Sequence, residues 1–136
     1  MAVHVVDHPL VRHKLGILRR RDVPVREFRA VSNEICRLLT YEATKNLKTE
    51  KATIQGWAGP VEVDRNKGKM MTAVPILRAG NGMLAGFLDM ITGAKVSVAG
   101  LYRNEETIEP VRYYVKFAKA LRHCPAVILD IMLETA

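Results

Sequence analysis

Three polar side chains of the sequence have the types and positions expected of a phosphate-binding site: Arg78, Arg103 and Asp130. Each follows directly on an apolar segment typical of a buried strand, and these segments are Met70–Leu77, Lys95–Tyr102 and Ala126–Leu129. Guanidinium groups donate forked hydrogen bonds to phosphate oxygens and stay charged at any working pH. An apolar run closed by a carboxylate is also how many α/β enzymes enter a phosphate-binding loop. The sequence therefore indicates a site for a phosphorylated ligand.

The elements between these segments predict that the three side chains meet. A helix is expected between the first two strands, because its apolar residues recur at helical spacing: Leu84, Phe87, Leu88 and Ile91. A strand, a helix and a strand in this order form a crossover unit of a parallel sheet, in which ligands bind beyond the carboxyl ends of the strands. The end of the second strand carries Arg103 together with Asn104, Glu105 and Glu106, so two arginines and one carboxylate could converge on one crevice. Each of these groups alone is more often part of a surface salt bridge, so the indication rests on their convergence.

The amino-terminal part of the chain predicts two helices. Pro9 can open a first helix, and Pro24 precedes a long amphipathic helix that runs nearly to Ala43. The apolar stripe of the second helix, Phe28–Leu39, could serve a subunit interface as readily as a core. A short strand is expected before the first helix, at Val3–Val6.

Apolar and polar residues alternate between Thr49 and Gly68, which predicts a hairpin or arm. The segment Val111–Phe117 is expected to form a short strand or flap. We therefore predict an α/β fold with a parallel sheet, in a single incomplete domain over residues 1–136. Its parts are the N-terminal helices (1–48), the hairpin arm (49–68) and the parallel-sheet core (69–136).

Composition narrows the classes of partner. The formal net charge is +7, much of it in Val11–Arg29, which favours nucleic acid, anionic lipid or a phosphorylated small molecule, although a solvated basic surface is the simplest alternative. The two cysteines, Cys36 and Cys124, lie far apart without metal-ligand spacing, and Cys36 falls on an apolar helix face typical of a core. No segment approaches the ~20 apolar residues of a membrane span. These features predict a soluble, cytoplasmic protein that has no membrane partner.

Five segments in unbroken order resemble the uracil phosphoribosyltransferase family: "HPLVRHKLGILR", "LLTYEATKNL", "VPILRAGNGM", "GLYRNEET" and "VILDIMLETA". The similarity runs from about Val5 to Thr135, and the separation of "ILRAG" from "YRNEET" makes it specific. The resemblance implies the type I phosphoribosyltransferase fold and the reaction of uracil with 5-phosphoribosyl 1-diphosphate to give UMP and diphosphate. It also implies Mg²⁺ as a cofactor, held mainly by the substrate, so that no residue is assigned to the metal.

The resemblance implies roles for individual residues. Arg78 and Arg103 would bind the diphosphate of phosphoribosyl diphosphate and favour its departure. Asp130 would accept hydrogen bonds from the ribose hydroxyls and, as the catalytic residue, stabilise the positive charge that develops on the ribose ring. Its simpler alternative role is to cap a following helix. Thr135 would belong to the loop that holds the 5'-phosphate, and the bond between Leu77 and Arg78 would be cis, as in several members of this fold.

The chain departs from the family in the phosphate loop. Relatives continue after the acidic residue as Pro-Met-Leu-Ala-Thr-Gly-Gly-Ser, whereas here Ile131 replaces Pro, Glu134 replaces Ala and Ala136 stands at the first Gly. We therefore expect the chain to end inside this loop, before the last strands and before the C-terminal segment that binds uracil in the family. Such a chain would not make UMP alone.

Two alternatives to a uracil phosphoribosyltransferase of pyrimidine salvage stay open. One is a noncatalytic RNA-binding regulator on the same fold, which the basic helices would suit, although the sequence contains no RNA-binding signature and nucleic acid is the less favoured partner. The other is an inert fragment that pairs through its amphipathic helix. The family is usually oligomeric, so a homo-oligomer is expected. Some relatives are activated by GTP, but no motif here identifies a guanine site.

Overall fold

Two helices begin where the sequence predicts them. The computed structural model of the chain describes residues 3–68 and 70–132. Helix α1 (Pro9–Leu18) starts at its proline. The N–H group that proline lacks would have no partner within the helix at this position, so its absence costs no hydrogen bond. The side chain of His8 accepts a hydrogen bond from the N–H of Leu10 at 3.1 Å and so caps the helix. Helix α2 (Val25–Ala43) follows Pro24 directly.

The apolar stripe of α2 faces the interior of the chain, where Val31, Ile35 and Cys36 are buried. The stripe therefore serves the core, one of its two predicted uses. The strand expected at Val3–Val6 is wrong, because these residues pair with no other strand of the described chain and Val3 is 82% exposed. No helix in residues 3–68 and 70–132 combines the length and the apolar character that crossing a bilayer requires.

The predicted hairpin is confirmed as a two-stranded antiparallel ribbon. Strands β1 (Thr49–Gly56) and β2 (Gly59–Asn66) pair along their whole length. Trp57 lies in the two-residue turn between them and is fully exposed. Nζ of Lys51 forms an ion pair with Asp64 at 3.1 Å across the ribbon. In the described part of the chain the ribbon pairs with no further strand, so it extends from the fold as an arm.

A second sheet has five strands: β3 (Thr72–Leu77), β4 (Lys95–Val96), β5 (Val98–Arg103), β6 (Pro110–Lys116) and β7 (Ala126–Leu129). Strand β3 pairs in parallel with β7 on one edge and with β4 and β5 on the other. Thr72 lies opposite Lys95 and Ile76 opposite Ala99 with the same offset, so β4 and β5 are two parts of one strand interrupted at Ser97. The predicted parallel core is thus confirmed.

The predicted short strand after the polar loop is also confirmed, as β6, which pairs antiparallel with β5 at the edge of the sheet. A short 3-10 helix (Lys119–His123) then leads to β7. The buried hydroxyl of Ser97 accepts a hydrogen bond from the N–H of Ala118 at 2.9 Å, which joins the end of β6 to the interruption between β4 and β5. The sheet is therefore mixed, with a parallel centre and one antiparallel edge.

Helix α3 (Asn81–Met90) connects β3 to β4 and packs on the sheet. Its Phe87 is 1% exposed and shares a core cluster with Cys36 of α2, Ala73 of β3 and Leu129 of β7. Burial raises the pKa of the Cys36 thiol, which therefore stays neutral. The expectation that Cys36 is a small core residue is confirmed.

Helices α2 and α3 are in backbone contact at Gly86. The N–H of Gly86 donates to Oδ1 of Asn33 at 2.8 Å. A Cβ atom added to Gly86 would lie 2.3 Å from the carbonyl oxygen of Asn33, well inside van der Waals contact. On the surface beside this crossing, Nε of Arg37 donates to the carboxylate of Asp89 at 2.9 Å. Only glycine lets the two helices approach this closely.

Gly86→Ala is expected to destabilise the chain, because the new Cβ must push α3 away from the backbone of α2. The expected loss in the free energy of unfolding is about 1–3 kcal/mol, typical of overpacking. Gly16→Ala is the matched control: no atom lies within 4 Å of its Cβ position in α1, so the better helix propensity of alanine should stabilise by up to ~1 kcal/mol. Urea unfolding monitored by circular dichroism measures both, and equal effects of the two substitutions would contradict the packing argument.

Candidate functional site

The three predicted side chains line a single cavity. Arg78, Arg103 and Asp130 border an open space of about 630 Å³ at the carboxyl ends of β3, β5 and β7. These ends meet because β3 is hydrogen-bonded to β5 on one edge and to β7 on the other. The predicted convergence is therefore confirmed. With two guanidinium groups and one carboxylate, the charge of the lining side chains is positive, which suits a ligand with several negative charges.

Arg78 lies in a tight turn between β3 and α3. The peptide bond between Leu77 and Arg78 is cis, as the family resemblance implied. The N–H of Gly80 donates to the carbonyl of Ile76 at 2.8 Å, and the N–H of Asn81 donates to the carbonyl of Arg78 at 3.2 Å. These two hydrogen bonds close the turn and place the exposed Arg78 at the mouth of the cavity.

The turn is packed directly against the strand that carries Asp130. A Cβ atom added to the buried Gly80 would lie 2.1 Å from the carbonyl oxygen of Leu129, the last residue of β7. It would also lie 2.7 Å from the backbone nitrogen of Ile76. The absence of a side chain at Gly80 therefore brings Arg78 and Asp130 to the same cavity.

Arg103 is followed by a loop that its neighbour Asn104 organises. Oδ1 of Asn104 accepts hydrogen bonds from the N–H groups of Glu106 at 2.8 Å and Thr107 at 3.2 Å. This side chain folds the loop back on itself and leaves Glu106 exposed. None of residues 104–106 lines the cavity, so Arg103 is the polar side chain of this strand end that borders it.

Asp130 is half-buried at the end of β7. Its Oδ1 accepts a hydrogen bond from the N–H of Ile131 at 2.9 Å, whereas Oδ2 has no hydrogen bond to a described residue. A helix N-cap accepts instead from an N–H group two or three residues further on, so this bond is local and the capping role stays a prediction. Thr135, the remaining predicted site residue, lies outside the described residues, as do Glu134 and Ala136.

The wall of the cavity also contains two tyrosines that were not predicted from the sequence. Tyr102 and Tyr113 line the same cavity as the arginines, and each is 53% exposed. Tyr102 immediately precedes Arg103, so its position in sequence was an available signal. Tyr113 reaches the site only because β6 pairs with β5, a pairing that alternation of residue types does not reveal.

The basic N-terminal segment is partly neutralised by ion pairs. Arg12 pairs with Asp7 at 3.1 Å, and Lys14 pairs with Glu34 of α2. A hydrogen-bonded ion pair with Arg20 lowers the pKa of Asp22. Most arginines of this segment are also exposed, so much of its charge lies on a solvated surface, the simplest of the predicted alternatives. Among residues 3–68 and 70–132, no group of three or more His, Cys, Asp or Glu side chains could hold a metal ion.

Comparison with known proteins gives two findings. A family model described as "Uracil phosphoribosyltransferase" matches residues 5–136. Among solved structures, the chain is similar to one titled "Structure of AQ2163 protein from Aquifex aeolicus", with a TM-score of 0.90 and 36% sequence identity. That similarity covers 98% of this chain and 63% of the other. The chain therefore spans less than two thirds of the length of the protein it matches.

Gly80→Ala is expected to separate Arg78 from Asp130, because the added Cβ would overlap the carbonyl oxygen of Leu129. Loss of one well-placed charge-assisted hydrogen bond, roughly 1.5–3 kcal/mol, predicts that inorganic diphosphate with Mg²⁺ binds about 10- to 100-fold more weakly. Isothermal titration calorimetry measures this affinity.

Gly82→Ala is the matched control for this measurement. Its Cβ would approach only the terminal Cδ1 atom of Ile131, at 3.0 Å, and that flexible group can move. We expect diphosphate affinity close to that of the unsubstituted chain. Equal weakening by both substitutions would show that helix α3, rather than the contact at Gly80, determines binding.

Proposed function

Because the chain belongs to the uracil phosphoribosyltransferase family, we propose that it carries the diphosphate-binding part of an enzyme that converts uracil and 5-phosphoribosyl 1-diphosphate into UMP and diphosphate. The convergence of Arg78, Arg103 and Asp130 on one cavity is the observation that carries this proposal. The reaction is a step of pyrimidine salvage, in the cytoplasm, in keeping with the two free thiols. In the family a C-terminal segment binds uracil, and we assign the recognition of the base to that segment.

In the proposed reaction the two arginines bind the leaving group. The diphosphate departs with the electron pair of the bond to the ribose, so its negative charge rises in the transition state. Arg78 and Arg103 lie at the ends of the paired strands β3 and β5 and can both direct planar guanidinium forks at one diphosphate. Binding that strengthens as charge develops lowers the barrier and not only the dissociation constant.

Asp130 has the complementary task on the ribose. As the diphosphate leaves, positive charge develops on the ribose ring, and a nearby carboxylate stabilises it. Asp130 is the one carboxylate that lines the cavity among the described residues. The hydrogen bond from Ile131 orients its Oδ1, which leaves Oδ2 for the ribose hydroxyls.

The donor set of the cavity fits a Mg²⁺ ion that arrives with the substrate. Magnesium is usually bound through one or two carboxylates together with substrate phosphates and several waters. Asp130, the one described carboxylate at the cavity, is already engaged by Ile131 and the ribose hydroxyls, so the substrate and water would hold the ion and no residue is assigned to it. When bound, the ion would neutralise part of the charge on the diphosphate.

The proposed enzyme acts as a homo-oligomer. Support comes from the hairpin arm, since an isolated two-stranded ribbon is marginally stable in water and this one exposes Ile54, Trp57 and Val61. A second copy of the chain could cover these side chains. Activation by GTP stays a prediction to which no residue is assigned.

Arg103→Ala is expected to weaken the binding of phosphoribosyl diphosphate, with roughly 1.5–3 kcal/mol lost for each charge-assisted hydrogen bond. Arg103→Lys should restore only part of the affinity, because an ammonium group cannot donate the planar fork. Arg112→Ala removes the same charge from the neighbouring strand β6 outside the cavity, and we expect it to bind like the unsubstituted chain. Calorimetric titration of the three variants checks the order. Similar losses of affinity in Arg103→Ala and Arg112→Ala would show that the net charge of the chain, and not the position of Arg103, determines binding.

Turnover is expected to require the segment that relatives carry after residue 136. The chain alone should bind diphosphate but convert uracil at least roughly 10² to 10³-fold more slowly than a version extended with a relative's C-terminal segment, since loss of even one donor to a developing charge has this effect. The rate at which labelled uracil is converted in the presence of phosphoribosyl diphosphate and Mg²⁺ is measured for the chain alone and for the extended version. Comparable rates would overturn the need for the segment, and a folded but inactive extended version would overturn the proposed reaction.

A further inference from the structure

The edge strand β6 contains an irregularity at Tyr113. In the pairing with β5, Gly100 lies opposite Tyr114 and Leu101 lies opposite Arg112, so Tyr113 has no partner residue and forms a β-bulge. Bulges bend a strand and change the direction of a side chain, and they are frequent beside active sites. At this position the change of direction places Tyr113 in the wall of the cavity.

A glycine on the neighbouring strand makes room for the ring. A Cβ atom added to the buried Gly100 would lie 2.8 Å from Cζ and 2.9 Å from Cε2 of Tyr113, so the ring lies directly on the backbone of β5. The ring of Tyr102 is next to it, with centroids 6.1 Å apart and planes tilted by 43°. The bulge and the glycine together produce an aromatic wall beside Arg78 and Arg103.

We propose that Tyr113 shields the two arginines, so that their ion pairs with a bound diphosphate form in a less aqueous environment. Charge pairs attract more strongly and are less screened by salt where water is excluded. Tyr113 acts through the arginines and is therefore a positioning residue, not a catalytic one. This inference rests on the proposed function, because it assumes that the cavity holds diphosphate.

The orientation of Tyr113 favours a role for the ring rather than for the hydroxyl. Cζ, the atom that bears the hydroxyl, is the ring atom closest to the Cβ position of Gly100, so this end of the side chain lies against β5. Phenylalanine would keep the same wall. A smaller side chain would open it to water.

The test is a titration of the full chain with magnesium diphosphate at about 0.1 M and about 1 M salt, between which the Debye length falls from ~10 Å to ~3 Å. Tyr113→Phe should bind like the unsubstituted chain at both concentrations. Tyr113→Ala should bind about tenfold more weakly at the lower concentration, which corresponds to ~1.4 kcal/mol. It should also lose affinity more steeply with salt, an effect that a merely structural role would not produce.

Two further variants separate shielding from folding. Tyr114→Ala removes the neighbouring tyrosine, which is 46% exposed and does not line the cavity, and should leave the salt dependence unchanged. Gly100→Ala keeps Tyr113 but displaces its ring, and it should reproduce the steeper salt dependence. Thermal melting followed by circular dichroism verifies that each variant is folded.

The outcomes distinguish this inference from the proposed function. If the unsubstituted chain binds diphosphate and Tyr113→Ala retains its salt dependence, shielding is overturned and the proposed function stands. A loss in Tyr113→Phe equal to that in Tyr113→Ala would assign the effect to the hydroxyl and also overturn shielding. If the unsubstituted chain does not bind diphosphate, the proposed function fails and the inference fails with it.

Discussion

The close approach of Gly80 to the backbone of Leu129 is the constraint on which the cavity depends. Strand β3 ends in the turn that carries Arg78, and β7 ends in Asp130, so the two groups can share a ligand only if the turn packs against the end of β7. Any side chain at Gly80 would occupy the space of a carbonyl oxygen. A second close approach, of Gly86 to Asn33, holds α3 against α2. Helix α3 is thus held at its start and near its middle by contacts that exclude a Cβ atom.

The cavity has charged groups at the ends of parallel strands and aromatic side chains towards the edge of the sheet. Its two cationic groups and its carboxylate follow parallel strands, whose positions are determined by pairing with the buried β3. The aromatic side of the cavity comes from Tyr102 on β5 and from Tyr113 on the antiparallel edge strand β6. The charged groups therefore lie at the ends of strands that are paired with one another, which suits electrostatic stabilisation of a leaving group.

Sequence patterns predicted the elements in which the spacing of apolar residues along the chain matches the face that is buried in the fold. The helices and the hairpin were identified because helical and alternating periodicities report directly which face of an element is buried. Strands β3 and β7 were identified as apolar runs, which are typical of buried strands of a parallel sheet. The same patterns failed at Val3–Val6, where the apolar residues pair with no strand of residues 3–68 and 70–132. They also did not show which of the polar residues at the end of β5 border the cavity: Arg103 does, whereas residues 104–106 do not.

The sequence by itself determined the family, the order of the elements and the chemical character of the site, because these depend on residue types and on spacing along the chain. Arg78, Arg103 and Asp130 could be identified without coordinates, since each directly follows an apolar strand. Only the tertiary structure decided that Gly80 lets two of them meet and that Tyr113 forms part of their wall. Both facts depend on distances between residues remote in sequence: a close backbone contact, and a bulge defined by the pairing of two strands. Local periodicity carries no information about either.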